Sequence, residues 1–180
     1  MDIAALKRFY EQAHSRKDIA GHLNKIYLYA SSVKTIAELG TGSGAATSAL
    51  ALGRPEFLLT VDIEPHANAQ TVVQGISAAG QHIEFRRQSS LEITLPEVEL
   101  LMIDTWHTHD QLKEELELHH TKAHKFILFH DMGSFGFKGE DGGEGMIPAL
   151  GAFLRNHPEW IIHEHNVKCN GLTVIRRIAE

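Results

Sequence analysis

The sequence predicts a doubly wound α/β sheet, and three observations carry that prediction. Short apolar runs ending in or beside an acid recur at residues 35–39, 57–62, 99–104 and 125–131. Stretches with helical apolar spacing separate them, so strand and helix alternate. The first run breaks into Gly40, Gly42 and Gly44, three glycines at alternate positions followed by small helix formers. Such a break reads as a strand-to-helix turn, where backbone can come close to a ligand.

Each element follows from its own pattern. Residues 2–14 carry Ile3, Leu6, Phe9 and Tyr10 at helical spacing. Asp18 is placed to cap a second helix over 19–31, with Leu23, Ile26 and Tyr27 on one face and His22 as an ordinary surface histidine. After the strand at 35–39 and a helix over 45–52 comes the strand at 57–62. A helix over 66–79 ends at Gly80, and residues 83–87 form a third strand. The strand at 99–104 precedes a helix over 108–120, and 125–131 is the fifth strand. Residues 132–145 are glycine-rich and charged, which reads as a mobile loop with little to bury. A helix over 146–156 and two strands, 160–165 and 172–178, close the chain. Asn170-Gly171 marks the turn of an antiparallel hairpin between the last two.

Composition narrows the function. At 180 residues the chain suits one domain, with residues 1–33 as a helical cover and 34–180 as the core. A net charge of −6 argues against a nucleic-acid backbone as partner. No apolar stretch reads as a membrane span or signal peptide. The single cysteine, Cys169, suits a reducing compartment, so a cytoplasmic protein is expected, and a homo-oligomer is left open. Thirteen histidines make a metal worth considering. His163 with His165, and His120 with His124, could each share a face, yet both pairs read as surface histidines because no third ligand stands nearby in sequence.

The segment Glu38-Leu39-Gly40-Thr41-Gly42-Ser43-Gly44 resembles motif I of the class I S-adenosylmethionine-dependent methyltransferases. Its spacing is not that of a nicotinamide fingerprint. Asp62 ends the next strand, one strand-helix-strand unit on, where an acid can accept both ribose hydroxyls of an adenosyl group. The resemblance implies a Rossmann-like seven-stranded sheet in the order 3-2-1-4-5-7-6, with the last strand antiparallel. It implies S-adenosyl-L-methionine as cofactor and a cofactor site built from Glu38, Gly40, Thr41, Gly42, Ser43, Gly44, Asp62, Ile63, Ser89, Ser90 and Asp104. The N-terminal helices would cover that cofactor. Asp18-Ile19-Ala20-Gly21-His22-Leu23 is similar to the start of the cephalosporin hydroxylase-like family of bacterial methyltransferases.

Glu38, Asp62, Asp104 and Asp131 all end strands at one sheet edge, where open α/β sheets bind ligands. With Glu38 and Asp62 suited to the cofactor, Asp104 and Asp131 fall to the acceptor. Together with His130, and next to His107, they could hold magnesium or another divalent cation, which lowers the pKa of an acceptor hydroxyl. Ile103-Asp104-Thr105-Trp106-His107 is similar to the Asp-x-Trp-Lys segment of catechol-type O-methyltransferases, and Leu128-Phe129-His130-Asp131 to the strand giving their second metal aspartate. His107 stands at the position of their catalytic lysine and could take the hydroxyl proton. The chain departs from that family at Met132, where an asparagine ligand is usual; His130-Asp131 matches the cephalosporin hydroxylase-like pattern instead. The expected activity is methyl transfer to a hydroxyl of a small molecule. A metal-independent version with His107 as base stays open, as does a methyltransferase-like fold that binds cofactor or a partner without catalysis.

Overall fold

The computed structural model describes residues 1–64 and 66–178. Six helices and seven strands follow one another in the expected order. They are α1 (Ile3–Ala13), α2 (Leu23–Ala30), β1 (Thr35–Leu39), α3 (Ala45–Leu52), β2 (Phe57–Asp62), α4 (Ala67–Ala78), β3 (Ile83–Arg87), β4 (Val98–Ile103), α5 (His109–His119), β5 (Ala123–His130), α6 (Met146–Asn156), β6 (Trp160–Asn166) and β7 (Leu172–Arg177). One sheet takes all seven strands in the order β3-β2-β1-β4-β5-β7-β6. Its first five strands run parallel, and β7 runs antiparallel to both neighbours.

The central strands are apolar because the sheet is covered on both faces. Ile36, Leu50, Leu58, Leu100, Leu128 and Val174 pack under α1–α4 on one face. Leu39, Leu59, Leu101, Ile127, Phe129 and Trp160 pack under α5 and α6 on the other. Helix α6 shows how the pattern works: Met146, Ala149, Leu150 and Phe153, spaced i, i+3, i+4, i+7, are its buried residues. The connections from β1 and β2 stay on one face, and those from β4 and β5 on the other. Direction therefore reverses between β1 and β4, which opens a crevice at their carboxyl ends.

Two local expectations are corrected. Asp18 does not cap α2; its carboxylate pairs with Arg16 at 2.8 Å, and the helix starts only at Leu23, after a short 3-10 turn over Ala20–His22. The 132–145 loop has more to bury than its composition suggests. Met132 is 1 % exposed, Gly133 and Ser134 donate to the Asn170 carbonyl, and Lys138 bridges Glu144 across a small antiparallel turn. No helix among the described residues is long and apolar enough to cross a membrane.

Candidate active site

The glycine turn is fixed by the sheet on either side of it. The Gly40 amide donates to the Val61 carbonyl at 2.9 Å, and the Asp104 amide to the Leu39 carbonyl at 2.8 Å. The ends of β1, β2 and β4 are thereby locked together. Gly40 has φ +92°, and a Cβ there would lie 1.9 Å from the Asp104 carbonyl oxygen. Only glycine fits, because the neighbouring strand occupies the space. At Gly42 an added Cβ would meet nothing within 4 Å. That position faces open space, where a ligand can approach.

A groove of about 370 Å³ opens beside Gly42. Gly40, Gly42, Asp62, Ile63, Ser89, Ser90 and Asp104 line it, seven of the residues assigned to the cofactor. Asp62 accepts from the Gly42 amide and the Glu64 amide, both at 2.8 Å, which aims its carboxylate along the turn. The other four assigned residues lie outside that groove. Ser43 and Gly44 line a separate cavity of about 320 Å³ on the α1 side of the turn. Glu38 and Thr41 are buried beneath it. Glu38 accepts from Thr47 at 2.7 Å and Thr60 at 2.5 Å, and Thr41 shares a 2.6 Å hydrogen bond with Thr60. Burial pushes the Glu38 carboxyl up to about 8, despite the opposing hydroxyl bonds. It braces the turn from below and does not reach the groove. Both N-terminal helices lie on the α3 face, and α1 bounds the cavity on its side; neither lines the groove.

The groove also holds groups beyond the residues assigned to the cofactor. Gln88, Thr105, Trp106 and Gln111 line it. Behind them Glu115 is fully buried on α5 and accepts from Ser90 at 2.6 Å, Gln111 at 2.7 Å and Thr105 at 2.9 Å. Each partner comes from a different segment. The spacing of Leu112, Glu115, Leu116 and His119 on the buried face of α5 was the only signal available beforehand.

Around Asp104, at the groove's edge, the predicted reactive residues do converge. His107 Nε2 lies 3.3 Å from Asp104 Oδ1 and 3.1 Å from Asp131 Oδ2, while its Nδ1 is 3.1 Å from Glu140 Oε2. His130 Nδ1 lies 3.3 Å from Asp104 Oδ1 and 3.2 Å from Asp131 Oδ2. Burial alone would raise the Asp104 pKa, but the two imidazoles outweigh it and bring it down to about 2. Burial likewise opposes charge on His130, yet the two aspartates win and push it up to about 10; His107 is raised by the same contest. Phe135 stacks on the His107 ring at 5.0 Å, so the 132–145 loop holds that ring in place.

Two features mark this cluster as a ligand site. Asp131 has φ +62°, a left-handed conformation that is strained for a residue with a side chain. Asp131 Oδ1 and His130 Nε2 are buried without a hydrogen-bond partner among the described residues, which in a native site points to an ion or water. One ligand atom each from Asp104, His107 and Asp131 lies within 4.8 Å of the others. An imidazole with two carboxylates fits a divalent cation, and the nitrogen donor suits a transition ion as well as magnesium. His22 is corrected from surface to core: it is 1 % exposed, its Nε2 donates to the Lys168 carbonyl at 2.6 Å, and its ring meets His130 edge-on at 5.8 Å.

No protein-family model and no curated protein matches the sequence. Solved structures do match the fold. An O-methyltransferase of tomaymycin synthesis from Streptomyces achromogenes, solved with S-adenosylmethionine, superposes with a TM-score of 0.67 at 16% identity, over 97% of this chain and 90% of that one. An O-methyltransferase from Bacillus cereus, solved with S-adenosylhomocysteine, gives 0.68 at 14% identity, over 97% and 91%. An N-methyltransferase from Bradyrhizobium japonicum gives 0.66 at 16% identity, over 96% and 98%. The sheet order and the antiparallel β7 are thus those of the Rossmann-like methyltransferase fold.

Proposed function

We propose that this chain is an S-adenosylmethionine-dependent methyltransferase acting on a hydroxyl oxygen of a small molecule, with a divalent cation held by Asp104, His107 and Asp131. The observation that carries the reading is the double role of Asp104. It lines the groove beside the glycine turn, and its carboxylate belongs to the histidine–aspartate cluster. A cofactor in the groove and an acceptor at the cluster would therefore meet over one residue. The solved neighbours that carry S-adenosylmethionine or S-adenosylhomocysteine support the choice of cofactor.

The bound cofactor supplies an electrophilic methyl group, and a bound cation would lower the pKa of an acceptor hydroxyl. The chain's own residues do the rest. Asp62 accepts the ribose hydroxyls, and Ser89, Ser90 and Gln111 offer polar contacts to the base. Phe135 and the loop behind it keep His107 fixed against Asp104 and Asp131, which places the acceptor oxygen for in-line attack. With both ring nitrogens facing carboxylates, His107 serves as a ligand when a cation is held. In a metal-free site it takes the hydroxyl proton at Nε2 instead. Free Cys169, the chain's single cysteine, supports a cytoplasmic setting.

The test uses labelled S-adenosylmethionine and a panel of hydroxylated small molecules. Label should reach an acceptor, vanish with chelator and return with magnesium or manganese. Asp131→Asn should still bind the cofactor by calorimetry while losing transfer. Absence of cofactor binding in the wild-type protein would overturn the reading. Binding without transfer to any acceptor would favour a non-catalytic adenosyl-binding fold. Transfer indifferent to chelator but lost in His107→Ala would leave the methyltransferase and remove the cation.

A further inference from the structure

We propose that His120, His157 and Glu159 form a zinc-binding site, separate from the active site, that ties the end of α5 to the end of α6. One ligand atom from each of the three lies within 4.8 Å of the others. They come from the 3-10 turn after α5, which runs His120–Lys122, and from the turn between α6 and β6. Both segments lie where strands begin, at the edge of the sheet opposite the glycine turn.

The His120 tautomer is already set for a metal. His120 Nδ1 donates to the Leu116 carbonyl at 2.8 Å, which leaves the Nε2 lone pair free. His157 Nδ1 lies 3.4 Å from Glu159, and its Nε2 lies 3.8 Å from Glu117. With Nδ1 on the ion, the Nε2 proton turns to the Glu117 carboxylate, the pairing that orients metal-bound histidines. Phe153 fixes both rings: His157 stacks on it at 4.4 Å, and His120 meets it edge-on at 5.3 Å. The turn is held independently, since Trp160 donates to the His157 carbonyl at 3.0 Å and Ile178 to the Glu159 carbonyl at 2.8 Å. Two imidazoles, one carboxylate and an open fourth position make a donor set that suits zinc.

The experiment titrates the Asp104→Asn/Asp131→Asn protein, whose active-site cluster is disabled, with zinc by calorimetry and with cobalt by visible absorption. One equivalent of zinc should bind, cobalt should give a tetrahedral spectrum, and zinc should raise the thermal midpoint. His157→Gln and Glu159→Gln, both at partly exposed side chains, should fold without metal and lose the cobalt spectrum. Glu117→Gln should keep the site with affinity lowered about 10–100-fold. Absence of binding in the parent protein, or unchanged zinc affinity in both ligand variants, overturns the proposal.

Discussion

Glu38 shows how a residue can be legible in position while its surroundings are not. Its place before the glycines identifies the turn, yet the side chain ends under β1–α3 and not in the groove. Alternation along a strand says which face a residue takes, but not whether a ligand or two threonines wait there. The burial has a consequence for pH. A carboxyl raised from 4.5 to about 8 means that the folded protein holds a proton the unfolded chain has lost. The contribution of Glu38 is then greatest at the acid end of that window and falls as pH rises through it, with a slope approaching about 1.4 kcal/mol per pH unit, and levels off above pH about 8. Glu38→Gln should flatten this fall, measured as urea unfolding free energy between pH about 5 and about 8. An unchanged slope in the variant would mean that another group carries it. His22 and Glu115 were illegible for a related reason: the Lys168 carbonyl that satisfies the one and the Ser90 hydroxyl that joins Thr105 and Gln111 on the other are distant in sequence.

Elements were read more securely than contacts. Strand and helix bounds follow from periodicity, and the turn, the hairpin and α3–α6 stand within a residue or two of where the pattern places them. The glycine turn is the element most sensitive to change. Gly40→Ala must place a Cβ against the β4 backbone at a positive φ. Strain and overpacking together predict a loss of about 2–6 kcal/mol, read from chemical denaturation, with cofactor binding lost even where the protein folds. Near-wild-type stability in that variant would show that β1 and β4 can part at this point without penalty. Residues 132–145 were the least legible element. Glycine and charge suggested looseness, but the hydrogen bonds to Asn170 and the stacking of Phe135 on His107 are long-range facts.

At the scale of the whole molecule the sheet separates two cores and two ends. Leu50 and Leu116 are both fully buried, on opposite faces. Leu50→Ala and Leu116→Ala should each cost about 2–5 kcal/mol. As distant sites they should add to within about 0.5 kcal/mol in one cooperative urea transition. Two separated transitions in either variant would mean that the faces unfold independently. The ends divide as well. The groove and the histidine–aspartate cluster occupy the carboxyl edge, where topology alone places ligands, and this much could be read from Asp62, Asp104 and Asp131 in sequence. The histidines at the other edge could not, since His120 meets His157 only once α5 and α6 have packed.

The backbone of Asp131 carries a further meaning. β5 ends one residue earlier, and the chain turns there through a conformation that glycine would adopt at ease and asparagine with little protest. An aspartate in that place gives up some backbone ease and stands its carboxylate between two imidazoles. A glycine there would relax the turn and strand two buried imidazoles without their shared carboxylate, so backbone ease and the pairing of buried charge pull this one position in opposite directions.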